Sequence, residues 1–416
     1  MKIVADFHIH SKYSRATSPQ MDLDSLDKWA RIKGIDVLGT GDFTHPQWFK
    51  NLKEKLVSAE PGLFKLKKSD SKIRFILTVE ISSIYSKNNK VRKIHNLIFS
   101  PSFEIAEKIN TQLGLIGNLK SDGRPILGLD SRELAKIVFN ISKDCILIPC
   151  HIWTPWFSLF GSKSGFDSIE ECFAEYSEYI FAGETGLSSD PAMNWRLSAL
   201  DKITLVSNSD AHSPAKIGRE ANIFDLDFLS YSNIIEAIKS KNPKKFLYTI
   251  EFYPEEGKYH YDGHRNCRIT LSPKESKKYN NICPVCGKGL TIGVLNRVEK
   301  LSDRPEGFKP QDAIPFKSLI PLQEIIAESL GMGVGTKKTI KEYETLIENF
   351  GSEFNVLLEA SLKDLKSVSR PEIAEGILRS REGKIYIEPG YDGVYGKIKI
   401  FSKEEQKKMS KQGNLF

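Results

Sequence analysis

Residues 3–10 read Ile3-Val4-Ala5-Asp6-Phe7-His8-Ile9-His10. The apolar, β-branched start is that of a strand. Side chains alternate across a strand, so His8 and His10 point to the same face. Similar short apolar runs follow at residues 37–39, 75–79, 95–99, 146–148 and 205–206. Helical patterns fill the gaps, over 23–33 and 131–140 among others. Strand, helix, strand repeated about seven times predicts an α/β fold with a largely parallel sheet, closed as a barrel, with its chemistry at the strand ends.

What stands at those ends is the informative part. Of eight histidines, six lie at or just after a strand end. Asp42 and His45 follow the second run, Glu80 ends the third, His95 begins the fourth and His151 follows the fifth. Asp210 and His212 come after the last, repeating the spacing of His8 and His10. One histidine at a strand end is ordinarily just a hydrogen-bonded side chain. Imidazoles and carboxylates converging from successive strands are the donor set of a multinuclear divalent site holding zinc, manganese or magnesium. Glu80 is the carboxylate expected to bridge, and ions ~3.5–4 Å apart clamp a phosphoryl group.

Composition sets the outer limits. A net charge of +7 permits a polyanionic partner without requiring one. No stretch approaches the ~20 apolar residues of a membrane span, and the start has neither the basic nor the apolar part of a signal peptide. The expectation is a cytoplasmic, nucleoid-associated protein with no membrane partner. Cys145, Cys150 and Cys172 stand singly in apolar surroundings and read as buried thiols.

The chain divides into residues 1–240, 241–315 and 316–416. In the middle segment His264 and Cys267 form one pair and Cys283 and Cys286 a second, each with two residues between its members. That spacing reads as one structural zinc site, with His260 a weaker fourth ligand. Lysines, arginines and tyrosines flank it, a mixture that suits phosphate contacts and base stacking, or simply a solvated surface. The third segment is helical around Gly331-Met332-Gly333-Val334-Gly335-Thr336-Lys337-Lys338. Backbone N–H groups of such a turn can face a phosphate; alternatively the glycines permit close packing. A short β unit with Tyr391 and Tyr395 follows, then a Lys- and Gln-rich end where Gln406 or residues 412–416 hint at a sliding-clamp contact.

Asp6-Phe7-His8-Ile9-His10, Gly41-Asp42-Phe43-Thr44-His45, Glu80, His95, His151 and Ser209-Asp210-Ala211-His212 together resemble the PHP (polymerase and histidinol phosphatase) superfamily over the first ~220 residues. The resemblance implies a distorted seven-stranded β/α barrel and makes His8, His10, His45, Glu80, His95, His151, Asp210 and His212 metal ligands, two or three ions in all. Many members carry another histidine where this chain has Ser14-Arg15. A third ion would then use Asp22 or Asp42, or Arg15 would contact phosphate. Glu184, Asp190 and Asn194 are catalytic candidates, or else helix-capping and turn residues.

The Gly333 to Leu365 segment resembles a helix-hairpin-helix module, which makes Gly333, Gly335, Thr336, Lys337 and Lys338 DNA-backbone contacts. The order of barrel, zinc insert, hairpin and tail resembles the endonuclease Q family of PHP-type DNA repair nucleases. That resemblance implies cleavage 5′ to a deaminated base (hypoxanthine, xanthine, uracil) or an abasic site. The tail loop with Tyr391 and Tyr395 is expected, on its own reading, to line the pocket of the displaced base. A PHP-type phosphomonoesterase and a non-catalytic damage-binding protein are the alternatives.

Overall fold

Seven strands carry the site, and their buried stretches are largely apolar where both faces are covered. They are β1 (Lys2–Asp6), β2 (Val37–Gly39), β3 (Arg74–Lys87), β4 (Lys90–Ser100), β5 (Ile146–Pro149), β6 (Ala182–Glu184) and β7 (Thr204–Val206) in a computed structural model that describes residues 1–67, 69–402 and 404–406. β1 and β2, β2 and β3, and β6 and β7 pair in parallel; β3 with β4 and β4 with β5 are antiparallel. Beyond β5 the Ile152 N–H donates to the Glu184 carbonyl at 3.0 Å, and beyond β7 the His10 N–H donates to the Ala211 carbonyl at 3.0 Å. The path of strands therefore returns to β1. The sheet is mixed, where the sequence reading expected it to be largely parallel. The reason is local: Asn88 and Asn89 both take positive φ, 54° and 57°, which turns β3 straight back into β4 as a hairpin.

Alternate residues of these strands fill one cluster, with Ile3, Ala5 and Phe7 meeting Ile76, Leu97, Phe99, Ile146 and Ile148. Phe7 lies edge-on to Phe99 at 5.3 Å between ring centres. Helices cover the outside. The helix Leu23–Lys33 starts because Asp22 accepts the Ser25 N–H, and it ends because Gly34 takes the left-handed conformation at φ 84°. Asp22 thus serves as a helix cap.

The sheet does not stop near residue 240. β8 (Ala221–Asp225) pairs antiparallel with β1, β9 (Phe246–Glu251) with β8, and β10 (Phe316–Ser318) runs parallel to β9. Strands from all three sequence segments therefore share one sheet. Between β9 and β10 lies the cysteine-bearing module, a strand pair Asp262–His264 and Ile269–Leu271 with the helices Pro273–Lys278 and Val294–Leu301.

Five helices follow: Leu322–Ser329, Lys337–Phe350, Glu353–Leu358, Leu362–Val368 and Pro371–Arg381. They dock on the α/β part through Glu353, which is buried and accepts from Lys33 Nζ at 2.6 Å, the Tyr343 hydroxyl at 2.6 Å and the Leu322 N–H at 3.1 Å. Burial works against this charge, yet Lys33 and Tyr343 hold the carboxyl below its ordinary range. The tail pairs Tyr386–Glu388 with Lys397–Lys399. Gln406 donates to Glu328 at 2.9 Å, so this glutamine is engaged within the chain, and residues 412–416 of the expected clamp contact lie outside the described residues. Among the described residues no helix is long and apolar enough to cross a membrane.

Removing one partner strands the other in a dry site. Glu353→Ala is therefore expected to cost roughly 3–5 kcal/mol in urea unfolding, while Glu353→Leu with Lys33→Met recovers most of it. A destabilisation below about 1 kcal/mol would show that this contact does not hold the helices to the sheet.

Candidate metal centre

The strand ends converge on Glu80, which is buried near the middle of β3. On one side His8 donates its Nδ1–H to Glu184 at 3.0 Å. Its Nε2 then faces Glu80 Oε2 at 3.5 Å and Asp210 Oδ1 at 3.8 Å without a hydrogen-bond partner. His10 donates Nδ1–H to Asp42 Oδ1 at 3.2 Å, and its Nε2 faces Glu80 Oε2 at 3.2 Å and Asp210 Oδ1 at 3.0 Å. On the other side Glu80 Oε1 meets His95 Nδ1 at 2.5 Å and His151 Nε2 at 3.2 Å.

Within each of the sets His8–His10–Glu80–Asp210 and Glu80–His95–His151, the donor atoms lie within 4.8 Å of one another. One carboxylate serves both sets, through a different oxygen for each.

The chemistry of these donors fits divalent ions. Imidazole lone pairs aimed at carboxylate oxygens in a buried site are repulsive unless a cation stands between them. Burial disfavours charge on His8 and His10, yet the surrounding carboxylates raise both well above the imidazole range, the response of a pocket that seeks positive charge. Burial pushes His95 down to about 4 despite Glu80, so this ring stays neutral and its lone pair is free to bind a cation.

The backbone is strained where the site needs it. Asp42, His151 and Asp210 take φ of 52°, 32° and 47°, unusual for residues other than glycine. Gly123 permits the close packing behind Asp42: a Cβ there would stand 2.2 Å from Asp42 Oδ2.

Several sequence candidates stand outside the two donor sets centred on Glu80. Asp42 stands behind His10 and takes Ser11 N–H, Ser11 Oγ and Ser14 Oγ on its other oxygen. It orients that ring, as carboxylates behind metal-binding histidines do. His45 stacks on Tyr13 at 4.4 Å, outside both donor sets. His212 lies beside His10, ring centres 4.5 Å apart, and its Nδ1 bonds the Asp210 carbonyl at 2.9 Å. Glu184 holds His8, the His151 N–H at 2.9 Å and Asn208 at 2.9 Å, and so braces two donors at once. Asp190 caps a short helix through the Met193 N–H, and Asn194 accepts from Trp153 Nε1 within the core. Asp190 lines a different cleft, with His260 and Arg196. Arg15 is largely exposed, its Nε 3.3 Å from Asp122.

The sequence reading missed Arg124, whose Nη1 lies 3.1 Å from Glu80 Oε2 and whose guanidinium that carboxylate holds more firmly charged. It sits in a polar turn with no periodicity to mark it. Arg15, Arg124, His95, His151, Asp210 and Trp156 line one open cleft of about 440 Å³.

A further donor set lies apart from these two. His264, Cys267, Cys283 and Cys286 bring their ligand atoms within 4.8 Å of one another, with Cys286 Sγ 3.4 Å from His264 Nδ1. His260, the weaker fourth ligand of the sequence reading, is buried elsewhere and stacked on Tyr261. Three sulfurs and one imidazole fit closed tetrahedral zinc.

The glycines of the helical hairpin face open space: nothing stands within 4 Å of a Cβ on Gly335 and only the Thr336 methyl approaches one on Gly333. They are not there for close packing. Thr336 caps the next helix by accepting the Thr339 N–H. In the tail, Tyr391 packs on Gly263, whose added Cβ would meet its ring at 2.4 Å, whereas Tyr395 is 68% exposed.

A family model described as the MJ0043 C-terminal domain matches residues 321–384, the five helices. The Methanocaldococcus jannaschii protein MJ0043 is 38% identical over 257 residues, 59% of this chain; the match spans only 31% of that longer protein. YqxK of Bacillus subtilis is 31% identical over 418 residues, covering 96% of this chain and 99% of its own. Fold and donor sets define the class: an α/β protein of the PHP superfamily, with a pocket for divalent metal at its strand ends. The lesion-specific endonuclease PfuEndoQ of Pyrococcus furiosus superposes with a TM-score of 0.86 at 31% identity, over 98% of this chain and 99% of that one. Endonuclease Q in complex with a 27-mer duplex substrate bearing an abasic lesion does so at 0.85 and 31%, over 98% of each. The protein belongs to the endonuclease Q family.

A shared bridging carboxylate has a countable consequence. Glu80→Ala is expected to lower the metal bound at both strand-end positions, and His95→Ala at only one, by elemental analysis of folded protein with the cysteine-bound zinc as internal standard. Equal depletion in the two variants would refute the bridge.

Proposed function

We propose that this protein is a DNA repair endonuclease that hydrolyses the phosphodiester on the 5′ side of deaminated bases (hypoxanthine, xanthine, uracil) and abasic sites. The observation that carries the reading is Glu80, whose two oxygens face separate donor sets beneath a cleft rimmed by Arg15 and Arg124. Residues 1–240 supply the PHP-type barrel, 241–315 the zinc module and 316–416 a helix-hairpin-helix-like region with its β tail. His8, His10, Glu80 and Asp210 would hold one ion, and Glu80, His95 and His151 a second. Divalent ions in such a site supply Lewis acidity to a phosphate oxygen and to the attacking water.

The chain's own residues do the rest. Glu184 and Asp42 fix the tautomers of His8 and His10, so that each presents Nε2 towards Glu80 and Asp210. Arg124 and Arg15 bring fixed positive charge to the rim, where a phosphate with its non-bridging oxygens would lie. A nucleotide cut beside a lesion must leave the stack to reach a recessed site, and a damaged or missing base costs least to displace. The exposed hairpin from Gly333 to Lys338 presents N–H groups and two lysines to a second stretch of backbone, an interaction that reads no sequence. Support also comes from the relative seen with an abasic duplex, whose length this chain matches almost end to end.

The direct test is an end-labelled duplex carrying one deoxyinosine, one uracil or one abasic site, with Mg²⁺ or Mn²⁺. A single nick 5′ to the lesion is expected, absent from undamaged DNA and from the His8→Ala/His10→Ala variant. Hydrolysis of a small phosphomonoester without any nick would establish the phosphatase alternative instead.

The hairpin makes its own prediction. Replacing Lys337 and Lys338 by alanine should weaken binding to lesion and plain duplex alike. The slope of log K against log salt should flatten by about 0.9 for each phosphate that the variant no longer neutralises. Weakening confined to lesion DNA would exclude the backbone role.

A further inference from the structure

Trp156 has no part in the metal chemistry, yet it stands at the mouth of the cleft that His95, His151 and Asp210 line, and it is 43% exposed. A single exposed indole is unremarkable in itself. This one is fixed in place and continued by other rings.

The fixing runs through Thr154. Its hydroxyl lies 3.2 Å from His151 Nδ1 and 2.8 Å from the Trp156 carbonyl, joining a metal-facing imidazole to the tryptophan's backbone through one oxygen. The next residue, Phe157, is held at φ 62°, a left-handed conformation that costs a non-glycine residue on the order of 1–3 kcal/mol. It is held there by the His95 N–H on its carbonyl at 3.2 Å and by Ser164 Oγ on its N–H at 3.2 Å. The loop therefore carries Trp156 at a set distance from the donors His95 and His151.

The continuation runs towards the zinc module. Trp156 is edge-on to Tyr259 at 6.1 Å, and Lys258 lies 5.7 Å from the ring centres of both Tyr259 and the exposed Tyr395. Arg265 closes the row, 3.4 Å from where a Cβ on Gly393 would be. Aromatic faces interleaved with cations, leading away from a recessed metal pocket, match one chemical repeat: stacked bases on a phosphate backbone.

We infer that Trp156 is the specificity-determining platform of this enzyme, stacking on the base next to the displaced nucleotide and so holding the gap open while the phosphate sits in the cleft. Tyr259, Lys258 and Tyr395 extend the same surface along the strand. The inference rests on the nuclease reading and adds to it the residue that keeps the lesion out of the helix.

The experiment follows a duplex with one abasic site and 2-aminopurine as the neighbouring base, comparing wild type, Trp156→Phe and Trp156→Ala. Metal content is measured on each preparation. Trp156→Ala is expected to raise KM for nicking roughly tenfold, the scale of removing one base–aromatic stack, and to abolish the change in 2-aminopurine fluorescence on binding. Trp156→Phe keeps both within about threefold of wild type, and all three preparations carry equal metal. Equal KM and equal fluorescence response for wild type and Trp156→Ala, with wild type nicking normally, would overturn the platform and leave the nuclease standing. A fluorescence response absent from Trp156→Ala but present in a wild type that never nicks would keep the platform and overturn the nuclease. Neither nick nor response from wild type would overturn both.

Discussion

Burying a carboxylate among imidazoles is expensive, and the N-terminal half of this protein is organised around that cost. Glu80 sits on a strand with covered faces, where an isolated charge would be untenable. Each neighbour answers one of its oxygens, and each neighbour is answered in turn: His8 by Glu184, His10 by Asp42, His151 through its N–H by Glu184. The network reaches the far strands as well, with Asn208 joining Glu184 to Asn222 on β8, and Asp6 holding both Ser209 and the Gly218 N–H. A shift of any strand by one residue would turn its ligand away from the centre, so the polar network and the apolar cluster beneath it specify the same register.

This dependence explains what is legible in the sequence. The pair His8 and His10 stands out because a two-residue period is a property of any strand, whatever it packs against. Glu80, His95, His151 and Asp210 stand out because each borders an apolar run. Asp42 is visible too, but its role is not: spacing tells that a carboxylate reaches the centre, not whether it stands in front of the imidazole or behind it. The antiparallel β3–β4 hairpin escapes notice because its turn is Asn88-Asn89 instead of a glycine pair, and His95 faces the pocket from that returning strand. Arg124 and Trp156 escape it for a different reason. Both lie on irregular loops, whose placement depends on contacts that no periodicity marks, Glu80 for one and, for the other, Thr154, Ser164 and the distant His95. The zinc set is legible because its chemistry is local to two short turns.

The helical region joins the rest through a contact of the opposite kind. Glu353 and Lys33 are a buried pair whose worth lies in specificity as much as stability, since only one docking position of the helices satisfies both charges together with the Tyr343 hydroxyl and the Leu322 N–H. That position also sets the outward direction of the glycine hairpin, so a cation on the first long helix of the sheet fixes the pose of a turn some three hundred residues later.

The tail hairpin does more than end the chain. The N–H groups of Gly390, Gly393 and Gly396 donate to the carbonyls of Glu255, Lys258 and Glu256, the Tyr261 N–H donates back to Gly390, and Asp392 takes both the Arg265 N–H and the Thr291 hydroxyl. Residues over a hundred positions apart are thereby sewn into one small body, and the later strip forms the wall against which the cysteine module closes. During synthesis from the N-terminus, the strands that carry the metal donors can assemble while that wall is still inside the ribosome. The zinc module is then the last part of the fold to close, so a nascent chain would hold its metal donors in place before the strip of Tyr259, Lys258 and Tyr395 is complete.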